Sequence, residues 1–320
     1  MNYAKYTLAT LVALATGLPA LAQDNYPARP VELIIPYPPG GSDTLGRKIA
    51  DTMAANTGAT IVVMNVPGAS TQVGSLQVTE AAPDGYTIYL PSPPELVAGP
   101  VFYDNLPFDV EKDFTLISFT AEAPYMLLVD PKLPVTTHEE FLKLIQSDPD
   151  SIRFGSYGSL SQSDIIARRY REAIGVPFDI IPYAGGTPAF NALLAGEIQA
   201  VIATTIPTRG FINEGQMRPL AVTTASRAAL YPDVPTLTEL GYDLVDSASY
   251  GLAGPAGLPD NVVEFWNREW TKAMNEPETK AFIEDMGVNV VASSPEEFRQ
   301  WLDDNIDLWR TFPEQLGLQD

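Results

Sequence analysis

Ile34-Ile35-Pro36-Tyr37-Pro38-Pro39-Gly40-Gly41-Ser42-Asp43 leaves an apolar, β-branched segment and crosses a turn rich in proline and glycine. It then enters a stretch, Leu45 to Ala55, whose apolar residues recur with helical spacing. Strand, glycine turn and helix in that order build a parallel sheet with covering helices. The same unit recurs at Phe154-Gly155-Ser156-Tyr157-Gly158-Ser159-Leu160-Ser161-Gln162-Ser163, and again at Ile181-Pro182-Tyr183-Ala184-Gly185-Gly186-Thr187-Pro188. At each turn the unpaired N–H groups of a first helical turn can gather around an anion. Glycine lets the backbone approach closely, and Ser or Thr adds a hydroxyl without adding charge. None of the three is a GxxxxGK[ST] or GxGxxG pattern, which sets nucleotides aside and favours a small carboxylate.

Outward from these turns the rhythm is regular. Val31 to Ile35, Ile61 to Asn65 and Thr87 to Leu90 read as strands. After Ala121 the pattern restarts with strands at Met126 to Val129, Ile152 to Phe154, Phe178 to Ile181, Ala200 to Ala203 and Leu220 to Thr223. Helices are expected at Glu139 to Gln146, Asp164 to Ile174 and Pro188 to Ala195. A third stretch begins at Leu252 and carries helical patterns at Val262 to Met274 and Pro295 to Leu308. Two similar α/β units follow, the C-terminal stretch returning to the first: residues 23–121 plus 248–320 as one domain, 122–247 as the other. Thr137 with Glu140 and Ser294 with Glu297 read as capping boxes. His138 falls in the first turn of its helix and is expected to face solvent. Asp43 and Asp164 are expected to cap their helices, the alternative being ligand contact, with Asp164 facing a ligand amine or raising the cost of a second ligand carboxylate.

With 320 residues and 45% hydrophobic content the chain can bury sizeable cores, which argues against disorder. Forty acidic against 19 basic residues give a net charge of −21, disfavouring nucleic acid and anionic lipid as partners. No cysteine and one histidine remove the raw material of thiolate zinc sites, iron–sulfur clusters and disulfides. No metal site, cofactor or catalytic residue is expected. Acid pairs that could serve glycoside hydrolysis arise by chance among 40 acids, and no GxSxG is present. At the N-terminus, Lys5 precedes the apolar run Leu8 to Leu18, and Ala20-Leu21-Ala22 offers a cleavage site. Residues 1–22 are therefore expected to be a signal peptide cut after Ala22, its apolar run too short to span a bilayer, with the remaining chain outside the cytoplasm and unanchored.

Tyr26-Pro27-Ala28-Arg29-Pro30-Val31 followed by Pro36-Tyr37-Pro38-Pro39-Gly40-Gly41 resembles the opening of the Bug, or TctC-like, family, the periplasmic solute receptors of tripartite tricarboxylate transporters. The resemblance continues through Ala82-Pro83-Asp84-Gly85-Tyr86-Thr87, Leu106-Pro107-Phe108-Asp109 and Pro182-Tyr183-Ala184-Gly185-Gly186-Thr187-Pro188. Arg218-Pro219-Leu220-Ala221-Val222-Thr223, Pro232-Asp233-Val234-Pro235-Thr236 and Tyr250-Gly251-Leu252-Ala253-Gly254-Pro255 extend it along the chain. It implies a type II periplasmic-binding-protein fold, two α/β domains closing on a small organic acid that is delivered to transporter membrane subunits by a monomeric receptor. A receptor that presents its ligand to a membrane sensor has the same features.

The resemblance assigns ligand contacts to Tyr37, Gly40, Gly41 and Ser42 in the first turn, and to Ser156 and Ser161 in the second. Tyr183, Gly185, Gly186 and Thr187 supply the third, and Ser92 follows the third strand. Two departures fall at the site. The first turn is one residue shorter than usual between its glycines and Asp43. The second has Leu160 where glycine is common and Asp164 where histidine is common.

Overall fold

The structure is a computed structural model that describes residues 26–69, 71–92, 96–97, 106–159 and 161–315. The expected signal peptide and Leu160 lie outside the described residues. Short β-branched runs make the parallel strands β1 (Val31–Ile35), β2 (Ile61–Asn65) and β3 (Thr87–Tyr89), and β1 lies between the other two. α1 (Gly41–Thr57) and α2 (Gln72–Thr79) connect them.

The long strand β4 (Phe114–Val129) then organises the molecule. Its first part, through Pro124, pairs antiparallel with β9 (Ser247–Pro255). From Tyr125 onward it pairs with β7 (Ala200–Thr204), and from Met126 with β8 (Arg218–Val222). β5 (Arg153–Ser156) and β6 (Asp179–Pro182) continue parallel beyond β7, giving the order β2-β1-β3-β9-β4-β7-β5-β6, with β8 and the short β10 (Asn289–Val290) also paired to β4. The sequence pattern finds only the end of β4. Its side chains are buried almost throughout, so the alternation that marks a half-exposed strand is missing. Pro124, which has no N–H to give a ladder, sits where β4 changes partners.

β4 and β9 therefore cross between two lobes. In the first, α1 and α7 (Asp260–Asn275) cover one face around Trp266 and Trp270, while α2 and α9 (Pro295–Gln315) cover the other around Phe298 and Leu302. α8 (Pro277–Asp285) leads from α7 to β10. In the second lobe, α3 (His138–Ser147) and α4 (Gln162–Ile174) pack on one face, and α5 (Gly186–Ala195) and α6 (Thr205–Asn213) on the other.

Both expected capping boxes form. Thr137 Oγ1 accepts from Glu140 N at 3.2 Å while Glu140 Oε2 accepts from Thr137 N, and Ser294 and Glu297 repeat the exchange. His138 is not solvent-facing: it is 4% exposed, and its Nε2 lies 2.9 Å from Tyr170 Oη. It shares an i, i+3, i+7 stripe with Phe141 and Ile145, which turns it into the second-lobe core. Asp43 and Asp164 are not the caps either. The helices begin earlier than their apolar period suggests, on Gly40 and Ser161, and leave both acids inside the first turn.

Candidate functional site

The first turn closes on β1 and α1. Tyr37 is half-buried; its hydroxyl accepts from Ser92 N at 3.1 Å and its carbonyl from Asn65 Nδ2 at 3.0 Å. Two residues separated by 55 positions, Tyr37 and Ser92, are thus brought together. Gly40 is the N-cap of α1, and no side chain among the described residues caps that end. A β-carbon on Gly41 would lie 3.9 Å from the hydroxyl of Tyr250 on β9.

The second turn is stitched to itself. The Ser156 hydroxyl donates to Asp164 Oδ1 at 3.2 Å and, more weakly, toward the Gly158 carbonyl at 3.4 Å. Ser161 Oγ accepts from Asp164 N at 3.2 Å, the N-cap bond of α4. The third turn is tied to the second by Tyr183 N, which donates to the Ser156 carbonyl at 3.0 Å. Gly185 caps α5 at φ 111°, where an L side chain is strained, and no side chain caps that helix. Gly186 opens α5; a β-carbon there would stand 3.4 Å from Phe190 and 3.5 Å from Tyr157. Thr187 is exposed in the first turn.

Sequence reasoning missed three tyrosines that gather where the lobes meet. Tyr125 on β4, Tyr157 in the second turn and Tyr250 on β9 all have hydroxyls held in the neutral form chiefly by burial. Tyr125 is pushed further in the same direction by Asp246, Tyr157 and Tyr250. The Tyr157 hydroxyl is buried; the Thr204 backbone lowers its pKa against the larger effect of burial, yet no group among the described residues meets it with hydrogen-bond geometry. Local sequence carries no sign of this cluster, because Tyr125 and Tyr250 meet only through the β4–β9 pairing.

A fourth turn was also missed. Gly68, Ala69 and Thr71 have φ of 143°, 44° and 74°, and two of them are not glycine. The α2 helix that follows packs so closely on the first turn that a β-carbon on Gly74 would fall 3.0 Å from Pro36. Pro67-Gly68 after β2 was the available signal.

Between the lobes lies a cavity of about 590 Å³, with Glu122 and Ser247 of the crossing strands, Gln162 and Arg169 of α4, and Trp301 and Trp309 of α9 in its walls. Burial raises the Glu122 carboxyl above the usual range. Asp246, also in the wall, pairs with Arg169 at 2.9 Å; burial still raises its pKa, and Arg169 opposes that shift. Among the described residues no group of acids and histidine is arranged to hold a metal ion, and no helix is long and apolar enough to cross a membrane.

Comparison with known proteins gives the frame in which these turns belong. Residues 45–318 match the tripartite tricarboxylate transporter family receptor. The chain is 29% identical to Protein BugT of Bordetella pertussis over 322 residues, 99% of each chain. A TctC solute-binding protein from Polaromonas superposes with a TM-score of 0.82 at 29% identity, covering 91% of this chain and 100% of that one. The R. palustris protein Rpa4515, solved with adipate, superposes with a TM-score of 0.73 at 25% identity, covering 92% and 99%. The fold is accordingly the two-domain periplasmic-binding-protein fold, and the chain belongs to the TctC family of tripartite tricarboxylate transporter receptors.

Proposed function

We propose that this chain binds a small organic carboxylate between its lobes, releases it unchanged, and delivers it from the periplasm to the membrane subunits of a tripartite tricarboxylate-type transporter, acting as a monomer. One observation carries the reading: three helices, α1, α4 and α5, begin at turns that contain no lysine or arginine, and two of them start on glycine without a side-chain cap. Backbone N–H groups and the helix dipole then supply the attraction for an anion. Ligand contacts are proposed at Tyr37, Gly40, Gly41, Ser42 and Ser92, at Ser161 in the second turn, and at Tyr183, Gly185, Gly186 and Thr187. Ser156 is proposed to offer lone pairs rather than a proton, because its single hydroxyl hydrogen is engaged by Asp164. The adipate held by the R. palustris relative supports the ligand class. We place the lobe boundary at residues 121/122 and 247/248, supported by the exchange of β4 partners after Pro124 and the start of β9 at Ser247.

The test is a thermal-shift panel of malate, adipate, aspartate, citrate and benzoate beside sugars and metal ions, repeated with chelator. A carboxylate at 100 times its dissociation constant is expected to stabilise the folded protein by about 2.7 kcal/mol. Stabilisation by sugars or cations and by no acid refutes the reading. Mass spectrometry of ligand released from gently purified protein identifies the natural acid, and co-purification with the transporter membrane subunits tests the partner.

A further inference from the structure

The acids that open two of the three helices should oppose anion binding. Asp43 and Asp164 lie in the first turns of α1 and α4, where a bare carboxylate would offset the positive end of the helix dipole. Each is met by an arginine one turn further on. Arg47 Nε donates to Asp43 Oδ1 at 2.9 Å, and Arg168 Nε donates to Asp164 Oδ2 at 2.8 Å. Each acid also holds the turn in front of it. Arg47 and Asp43 both reach the side chain of Asn65, which in turn binds the Tyr37 carbonyl. The Asp164 side chain accepts a hydrogen bond from the Ser156 hydroxyl, while its backbone N–H donates to Ser161 Oγ, so the two ends of the second turn meet on one residue. The third helix, α5, has no acid in its first turn and no arginine behind it.

We propose that Asp164 is the positioning residue of the second turn, and that Arg168 keeps that turn open to anions by neutralising it. Asp164 is 1% exposed, so water does little to screen its charge, whereas the Arg168 side chain is 26% exposed and reaches it from outside. The fixed geometry of the turn and its anion affinity are thereby separated: the carboxylate supplies the first and the guanidinium restores the second. Asp43 and Arg47 repeat the arrangement on α1 in a more exposed setting, and the Arg47 contact holds the Asp43 carboxyl below its usual range. The inference rests on the carboxylate reading of the site.

The test uses the full mature chain, the acid of the panel that binds most tightly, and the uncharged amide of that acid. Arg168→Gln is expected to weaken the acid about tenfold or more, as an uncompensated charge within about 10 Å does at an effective dielectric near 20, and to leave the amide unchanged. Arg168→Lys is expected to bind like the parent. Asp164→Asn combined with Arg168→Gln removes both charges and is expected to regain most of the affinity for the acid. Circular dichroism and melting curves establish that each variant is folded. If Arg168→Gln fails to fold, Asp164→Asn gives the opposite imbalance: with Arg168 uncompensated it is expected to bind the acid more tightly than the double variant and the amide equally, and equal acid affinity would overturn the proposal. Equal loss of acid and amide binding would reduce Arg168 to a packing role and overturn the proposal, as would a double variant as weak as Arg168→Gln or an Arg168→Gln protein as tight as the parent. A parent that binds none of the acids refutes the carboxylate reading itself, an outcome distinct from these.

Discussion

His138 gives the protein a proton-linked step that one substitution can remove. It is the only histidine in 320 residues, and burial lowers its pKa from 6.5 to about 4. The folded state therefore holds the imidazole neutral at pH values where the unfolded chain has already taken a proton. Because the folded pKa lies below the unfolded one, this contribution is intact above about pH 6.5 and is lost as the pH falls toward 4. A difference of about 2.5 units corresponds to about 3 kcal/mol in full, of which about 2.5 kcal/mol should be gone at pH 4.5.

Other groups titrate in the same range, so the parent alone is a poor witness. Glu122 and Asp246, whose pKa values are raised, favour the fold as acid protonates them and work against the histidine. His138→Phe separates the effects. The variant leaves the Tyr170 hydroxyl without its 2.9 Å partner and should be less stable at pH 7 by about 1–3 kcal/mol. Its deficit relative to the parent should then shrink by about 2.5 kcal/mol between pH 7 and 4.5, as read from urea denaturation at each pH. NMR titration of the sole imidazole measures the folded pKa directly. An imidazole that titrates near 6.5, or a parent–variant difference that stays flat with pH, refutes the argument.

Three further outcomes follow from other parts of the molecule. Gly186→Val should fold, since Gly186 does not have a positive φ, yet weaken carboxylate binding by about 1.5–3 kcal/mol through one lost charge-assisted hydrogen bond; isothermal titration measures it, and parental affinity would remove Gly186 from the site. Thr205→Val should cost about 1–3 kcal/mol in urea denaturation, because the buried Thr205 hydroxyl donates to the Gly287 carbonyl at 2.6 Å and bridges the two lobes; Thr205→Ser should recover most of it, and an unchanged Thr205→Val would count against the bridge. Small-angle scattering with and without a saturating acid should differ, since two crossing strands make a hinge; superimposable curves would argue against closure.

Local pattern carried the parts of the fold that local physics determines. β1 and β2 fall where Val31 to Ile35 and Ile61 to Asn65 are β-branched and bounded, and both capping boxes formed because each needs only residues three apart. What escaped was decided by distant contacts or by weak propensity. α6 carries Pro207 and Gly210, and α2 carries Gly74 and Ser75, so neither has a clear helical period before it packs. α8 begins at Pro277 after Glu276, a start signal that was present and passed over. At the site, the three turns were legible as glycine and hydroxyl runs. The tyrosine cluster was not, because Tyr125 and Tyr250 are joined by a strand pairing between residues more than a hundred positions apart. The arginines were missed for a geometric reason. Arg47 and Arg168 lie beyond the turns and reach back by one helical turn, the i, i+4 spacing that puts them on the same face as Asp43 and Asp164.

Under the proposed reading that reach lets a chain of net charge −21 hold an anion, and it makes the salt response a sharp discriminator. Exposed carboxylates act on an approaching acid over roughly the Debye length, about 10 Å at 0.1 M salt, and repel it. In the proposed site a seated acid meets amide dipoles and hydroxyls, while the nearby Asp43–Arg47 and Asp164–Arg168 pairs are each close to neutral. Added salt should therefore screen the repulsion and leave the seated contacts almost untouched. Association should speed up, dissociation should stay constant, and affinity should rise by a few-fold at most between about 20 and 500 mM sodium chloride. Stopped-flow fluorescence can follow both rates through lobe closure, since Trp301 and Trp309 of α9 share a cavity with Gln162 and Arg169 of α4 across the lobes, although no proposed ligand contact lines it. A cationic clamp predicts the reverse, with dissociation accelerating and affinity falling tenfold or more over the same range. That result would mean that Arg47 or Arg168 leaves its aspartate to take the ligand, and the neutral-donor account of the three turns would be wrong.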